Sequence, residues 1–181
     1  MQTLFLIMDK NQAFEYYVVK LLEWYNEKAG NVGNNDLSTL KVLKLLFFGT
    51  AISAEAAAVD TLLDNPFNAF YAMPYGHVES EIYDSIRRKE FHNLNINNSS
   101  SSIDLGLIFP DGEIKTKIDT SIQKLKEANS KLILMTPFEL VELSHRWYSW
   151  QFYFNKAQRN GSYSELIPAQ MIKLEQKFFS L

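Results

Sequence analysis

The stretch Leu40-Lys41-Val42-Leu43-Lys44-Leu45-Leu46-Phe47-Phe48 limits what this chain can fold into. Leu40, Leu43, Phe47 and Ala51 recur at helical spacing on one face, and Val42, Leu45, Leu46 and Phe48 make most of the remaining circumference apolar. A helix this short and greasy nearly all round falls well below the ~20 apolar residues of a membrane span. It reads as a core helix covered on several sides. Asp36 and Ser38 stand ahead of it as acceptors for the free N–H groups of a first turn. Lys41 and Lys44 are expected to share the narrow polar stripe that remains, and the alanine-rich residues 51–59 to prolong the helix.

Around this hub the pattern predicts an all-α fold, a compact helical bundle with at most a small β-hairpin, as one domain over 1–181. Phe14, Tyr17, Val18, Leu21, Leu22 and Tyr25 mark an amphipathic helix over residues 13–29. Further helices are expected near 79–89 and 118–129, and from Thr136-Pro137-Phe138-Glu139, where threonine is the cap and glutamate completes a capping box. Pro168 should open a last helix running through Phe178 and Phe179. Phe67 to Tyr75 reads as extended chain or loop, and the polar residues 92–104 as a mobile loop. Leu105–Phe109 and Ile114–Ile118 are expected to pair as a hairpin around Pro110-Asp111-Gly112-Glu113. Leu4 to Met8 reads as a short strand or extended arm, since no basic residue precedes it and Asp9 interrupts it.

The formal charge of −3 provides no broad attraction to nucleic acid. Zero cysteines exclude disulfides, thiolate metal sites and cysteine nucleophiles, and fit a cytoplasmic protein. None of the three histidines, His77, His92 and His145, stands at HExxH-type spacing, so no metal is expected. No phosphate-binding glycine loop and no GxSxG nucleophile elbow occurs. Glu79 and Glu81, two apart, point to different sides of a helix and make a poor acid–base pair. The reading is therefore of a protein without a cofactor, and not of an enzyme.

Two aromatic clusters remain. Trp147 and Trp150 are three apart, and one of them is expected in the core and the other at a binding surface. In Phe70 to Tyr83 an aromatic extended stretch meets a Tyr75-Gly76 turn that runs into a helix, with His77 expected at its partly solvated mouth.

Three blocks of this sequence resemble the Panacea domain, the SocA-like antitoxin family of bacteria, phages and prophages. The first is Leu40 to Phe48, similar to the family's lysine-leucine helix ending in an aromatic pair, with Leu43, Lys44, Leu45 and Phe48 as its matching positions. The second is Phe70-Tyr71-Ala72-Met73-Pro74-Tyr75-Gly76-His77-Val78 continuing to Tyr83, where Ala72, Gly76 and Val78 match. The third is Leu143-Ser144-His145 with Trp150. The chain departs twice: Met73 stands where the family has tryptophan, and His77 where it has proline.

The resemblance implies a protein-binding domain of a toxin–antitoxin system that neutralises a cognate toxin, encoded by an adjacent gene, through direct contact. The alternative it implies is an adaptor that delivers its partner to a cytoplasmic protease. A small helical enzyme is the remaining alternative, and it would be stabilised by a metabolite or metal. No nucleic acid or membrane partner is expected, and the length predicts no fused DNA-binding module. Tyr75, His77, Tyr83, Arg146 and Trp147 are the expected partner-binding residues. Leu43, Lys44, Leu45, Phe48, Ala72, Gly76, Val78, His145 and Trp150 are the family-motif or scaffold positions.

Overall fold

The computed structural model describes residues 8–104 and 106–181. The expected arm at Leu4 to Ile7 and the start of the expected hairpin at Leu105 lie outside them. The fold is dominated by helices, with short antiparallel strands added.

Helix α1, Lys10–Ala29, starts earlier than the apolar stripe suggests because Asp9 and Gln12 form a reciprocal capping box. Gly30, at φ 71°, closes it. Its stripe is buried as expected, with Tyr16 and Trp24 buried as well.

Helix α2, Thr39–Ile52, is the hub, and every residue from Lys41 to Ala51 is buried. Ser38 caps it, accepting from the Lys41 N–H. The expected polar stripe does not exist: Lys41 and Lys44 are both fully buried. Lys41 reaches back to Asp36 at 2.7 Å, so that aspartate pairs with a side chain and leaves the capping to Ser38. The helix also stops short of the alanine-rich run. Ala54 is buried, but Glu55, Ala56 and Ala57 are exposed, and small side chains offer the core too little apolar area to hold another turn against it.

Strands β1, Phe70–Met73, and β2, Gly76–Glu79, form a tight antiparallel hairpin where the expectation was extended chain or loop. The hairpin leads directly into α3, Ser80–Arg87, whose first turn is capped by the Glu79 carboxylate accepting from the Ile82 N–H at 2.8 Å. The polar run expected as a mobile loop carries a second hairpin, β3, Leu94–Ile96, with β4, Ser101–Ile103. Asn35 docks it by donating to the Ser101 carbonyl at 2.8 Å, and the Ser101 hydroxyl donates to the Leu37 carbonyl at 2.5 Å.

The hairpin expected across Pro110-Asp111-Gly112 is not formed, because residues 113–128 are helix α4, Glu113–Ala128. Ile114, Ile118, Ile122 and Leu125 make one stripe on it, and Glu113 pairs with Lys117 at 2.8 Å. Helix α5, Pro137–His145, has the expected Thr136–Glu139 capping box. Helix α6, Tyr148–Arg159, follows almost at once, and then the two-residue strand β5, Glu165–Leu166, which extends the first sheet to the order β2-β1-β5. The last helix, α7, Ala169–Leu174, is shorter than expected. The chain beyond it is extended, and Phe179 lies against Trp147 at 5.8 Å and Phe48 at 6.3 Å.

Helices α1 and α2 cross closely at Gly49, where an added Cβ would strike the Tyr17 hydroxyl. That hydroxyl donates to the Leu45 carbonyl at 2.7 Å. Gly49→Ala should therefore lower stability by about 1–3 kcal/mol, the range for overpacking a tight core. In urea denaturation, Tyr17→Phe in the same chain should recover part of that loss by clearing the contact.

Candidate functional site

Strand β2 is an edge strand of its sheet, yet all four of its residues are buried. In the register of this hairpin, Ala72 faces His77, and Ser80 donates to the Ala69 carbonyl beyond the strand ends. Alternation of bonded and non-bonded pairs therefore turns the His77 N–H and C=O away from β1, toward the buried edge. A buried peptide group without a partner costs roughly 1–3 kcal/mol, so that edge has to be closed by something other than a strand.

Two helices close it with side chains. The His77 N–H donates to Ser144 Oγ of α5 at 3.0 Å, and the Lys44 ammonium of α2 donates to the His77 carbonyl. The lysine is fully buried and its hydrogen bond is to a neutral carbonyl. Burial pushes the Lys44 amine down to about 7.

The His77 ring is fully enclosed as well. It stacks on Phe47 at 3.6 Å, with Trp147 edge-on at 6.1 Å. Nδ1 lies 2.8 Å from Ser144 Oγ and Nε2 lies 2.8 Å from Ser149 Oγ. Ser149, the second residue of α6, is tied to Glu175 through its backbone N–H, which donates to Oε2 at 2.8 Å. A neutral imidazole satisfies this chain: Ser144 donates to Nδ1, and the Nε2 proton goes to Ser149. Burial, with Lys44 and His145 nearby, holds the imidazole well below the usual histidine range.

The turn completes the node. Gly76 sits at φ 95°, and a Cβ there would run into Ser144 Oγ, with Ser144 Cβ at 2.9 Å and Lys44 Nζ at 3.2 Å. On the outer side, Trp150 donates its indole N–H to the Met73 carbonyl at 2.8 Å and stacks on His145 at 3.7 Å. The three blocks of the sequence thus meet: Lys44 and Phe47 from the first, Met73 to His77 from the second, Ser144, His145 and Trp150 from the third.

The expected partner-binding residues separate into two groups. His77 and Trp147 are corrected to interior positions, both fully buried. His77 is not at a solvated helix mouth but inside a strand, and Trp147 packs against Phe47 at 4.8 Å and donates to the Phe178 carbonyl at 3.2 Å. Tyr75 is 59% exposed at the hairpin tip. Tyr83 is half-buried with the Arg87 guanidinium 5.8 Å from its ring centre. Arg146 is exposed, donates to the Ser180 carbonyl at 2.9 Å and lies over Phe178 at 4.8 Å.

Sequence reasoning missed Ser149 and Glu175, which carry no motif and join the node only through the fold. It also missed Tyr148 and Phe152, which are 55% and 46% exposed with ring centres 5.8 Å apart. Their i, i+4 spacing was the available signal. Ser144 and His77 hold nucleophile-and-base spacing, but both are sealed from solvent, so the pair works as a structural clasp. Among the described residues no group of three histidines or carboxylates is placed to hold a metal ion. No described helix is long and apolar enough to cross a membrane. No family model, curated protein or solved structure matches this chain.

Two predictions follow from the node's geometry and charge. Gly76→Ala combines a left-handed backbone with a collision at Ser144, and should cost about 2–4 kcal/mol in chemical denaturation. For pH, the folded Lys44 amine titrates near 7 and the unfolded one near 10.5, so between these values the unfolded chain holds a proton that the folded chain has released. Stability should therefore rise with pH from 7 toward the onset of tyrosine ionisation near 9.5, by at most about 1.4 kcal/mol per pH unit for one proton. Lys44→Met should flatten that rise, as read from urea midpoints across the range.

Proposed function

We propose that this chain is an antitoxin-like binding domain that neutralises a cognate toxin protein by direct contact. One observation supports the reading above the others: the three blocks that resemble the Panacea domain converge on a single buried node, although Lys44 and Trp150 stand more than a hundred residues apart. The node is sealed, so it serves as the scaffold and the partner meets what the scaffold displays.

What it displays beside the node is aromatic. Tyr75 projects at the hairpin tip, and Tyr148 and Phe152 line the outer side of α6, the helix that packs on β1. Tyrosine and phenylalanine give large contact area at low entropic cost, which suits the centre of a protein interface. Arg146, at the α5–α6 junction, would lie at its polar rim.

The test is co-expression with the product of the neighbouring gene, scoring growth and then co-purification. The expected result is that the neighbour arrests growth alone and that this chain restores growth while purifying with it. Tyr148→Ala with Phe152→Ala should weaken the complex by at least about tenfold, the loss typical of truncated aromatic hot spots, while leaving the thermal midpoint nearly unchanged. A harmless neighbour that does not co-purify would overturn the reading. A partner whose cellular level falls when this chain is present would replace masking with delivery to a protease.

A further inference from the structure

The node gathers basic groups in and at the edge of the sealed interior, where His145 is half-buried. Lys44 from α2, His77 from β2 and His145 from α5 lie close enough that each histidine is shifted by its charged neighbours. Lys44 and His77 are fully buried, and His145 carries a buried Nε2 without a hydrogen-bond partner. Lys41, the next cation along α2, is turned toward Asp36 and takes no part. The carboxylates facing this group are few. Glu79 of β2 is committed to Lys10 at 2.8 Å and to the first turn of α3. Glu142 of α5 acts weakly on His145. Glu175 reaches His77 only through Ser149, and Lys177 lies beside it.

We propose that this cluster is an acid-opened latch: protonation of His77 beside the Lys44 ammonium releases the β1–β2 turn from the α5–α6 junction. The hydrogen bonds require this direction. Neutral His77 accepts from Ser144 at Nδ1 and donates from Nε2 to Ser149, whereas an imidazolium donates from both nitrogens. Ser144 Oγ would then accept from both the ring N–H and the backbone N–H it already accepts at 3.0 Å, and its own O–H would lose Nδ1 as acceptor in a buried site. A second positive charge would also stand beside a buried ammonium with no carboxylate in contact. Solvent relieves both, and the cheapest route to solvent is separation of the turn from the helices. Glu175 reinforces the effect. Burial raises its carboxyl above the usual carboxylate range, so its negative charge is held less firmly as pH falls.

The window follows from the ordinary value. A solvated histidine takes its proton near pH 6.5, while the enclosed one resists until well below that, so opening costs progressively less as pH falls below 6.5. The proposal does not depend on what the domain binds.

Hydrogen–deuterium exchange of the full chain between about pH 7.5 and 5.5, corrected for the intrinsic pH dependence, tests it. Peptides covering 70–79 and 143–150 should lose protection on acidification, with up to about tenfold of the loss coming from the one proton His77 takes up on opening, while those from α1 and α4 keep theirs. His77→Phe retains the stacking on Phe47 and removes the histidine's titration, so the local response should fall to the part that the Lys44 amine, titrating near 7, contributes. If that variant fails to fold, nitrogen-15 spectra of labelled histidine in the unaltered chain decide. A neutral His77 protonated on Nε2 at pH 7.5, becoming charged together with the loss of protection, supports the latch. Unchanged protection at the lower pH, loss spread evenly over the chain, or an identical response in His77→Phe would overturn it.

Discussion

An edge strand buried against helices is the constraint on which the rest of this structure depends. Every peptide group in the dry interior must be paired, and β2 has a neighbouring strand on one side only. Proteins commonly leave such an edge in water or blunt it with charge. Here Lys44 and Ser144 take the place of the missing strand, one as donor to the His77 carbonyl and the other as acceptor from its N–H. Other features follow. Gly76 has no side chain because Ser144 and Lys44 occupy the space, and His77 is held neutral first by its burial and then by the cation against its own carbonyl.

The two departures from the Panacea pattern acquire a physical meaning in this frame. A proline at the His77 position would bring no N–H to the buried edge, and proline is tolerated at strand edges for that reason. Histidine restores the N–H, and Ser144 accepts it. The ring adds a flat surface that Phe47 covers at 3.6 Å and two nitrogens that Ser144 and Ser149 satisfy. Met73 is the milder change. Its carbonyl, which any residue would provide, is what Trp150 binds.

The parts of the fold legible in the sequence were those in which cause and effect are neighbours along the chain. The Thr136 capping box, the α1 stripe and the all-round apolar character of α2 each depend on residues within a few positions of one another. The Asp9–Gln12 box had the same local signature, hidden because its polar residues read as an interruption. What could not be read depended on distant partners. Lys41 and Lys44 looked like a solvated stripe because lysine usually is one. Their burial is explained only by Asp36 in one case and by a strand carbonyl 33 positions away in the other. The β1–β2 hairpin was obscured by proline and by an aromatic run of irregular period, and the burial of all four residues of β2 removes from that strand the alternation that marks a half-exposed one. Within the site, Tyr75 kept its expected exposure, while His77 and Trp147 were misplaced because a histidine or tryptophan in sequence carries no sign of which side of it is packed.

A charged lysine in a core is rarely the most stabilising choice, since an apolar side chain of similar volume avoids the cost of desolvation. Its value here lies in specification. A slip of one residue in the pairing of β1 with β2 would turn every side chain of β2 to the opposite face. It would also withdraw the His77 carbonyl from Lys44 and its N–H from Ser144, leaving an ammonium and a strand edge buried without partners. Burial alone would penalise that slip weakly, because β2 is covered on all sides; the penalty falls on the polar side chains of His77 and Glu79, whose partners would be withdrawn. The polar contacts therefore fix the register of the hairpin, and the register in turn sets where Tyr75 projects. In that way a sealed node with no access to solvent determines the geometry of a surface that a partner can touch.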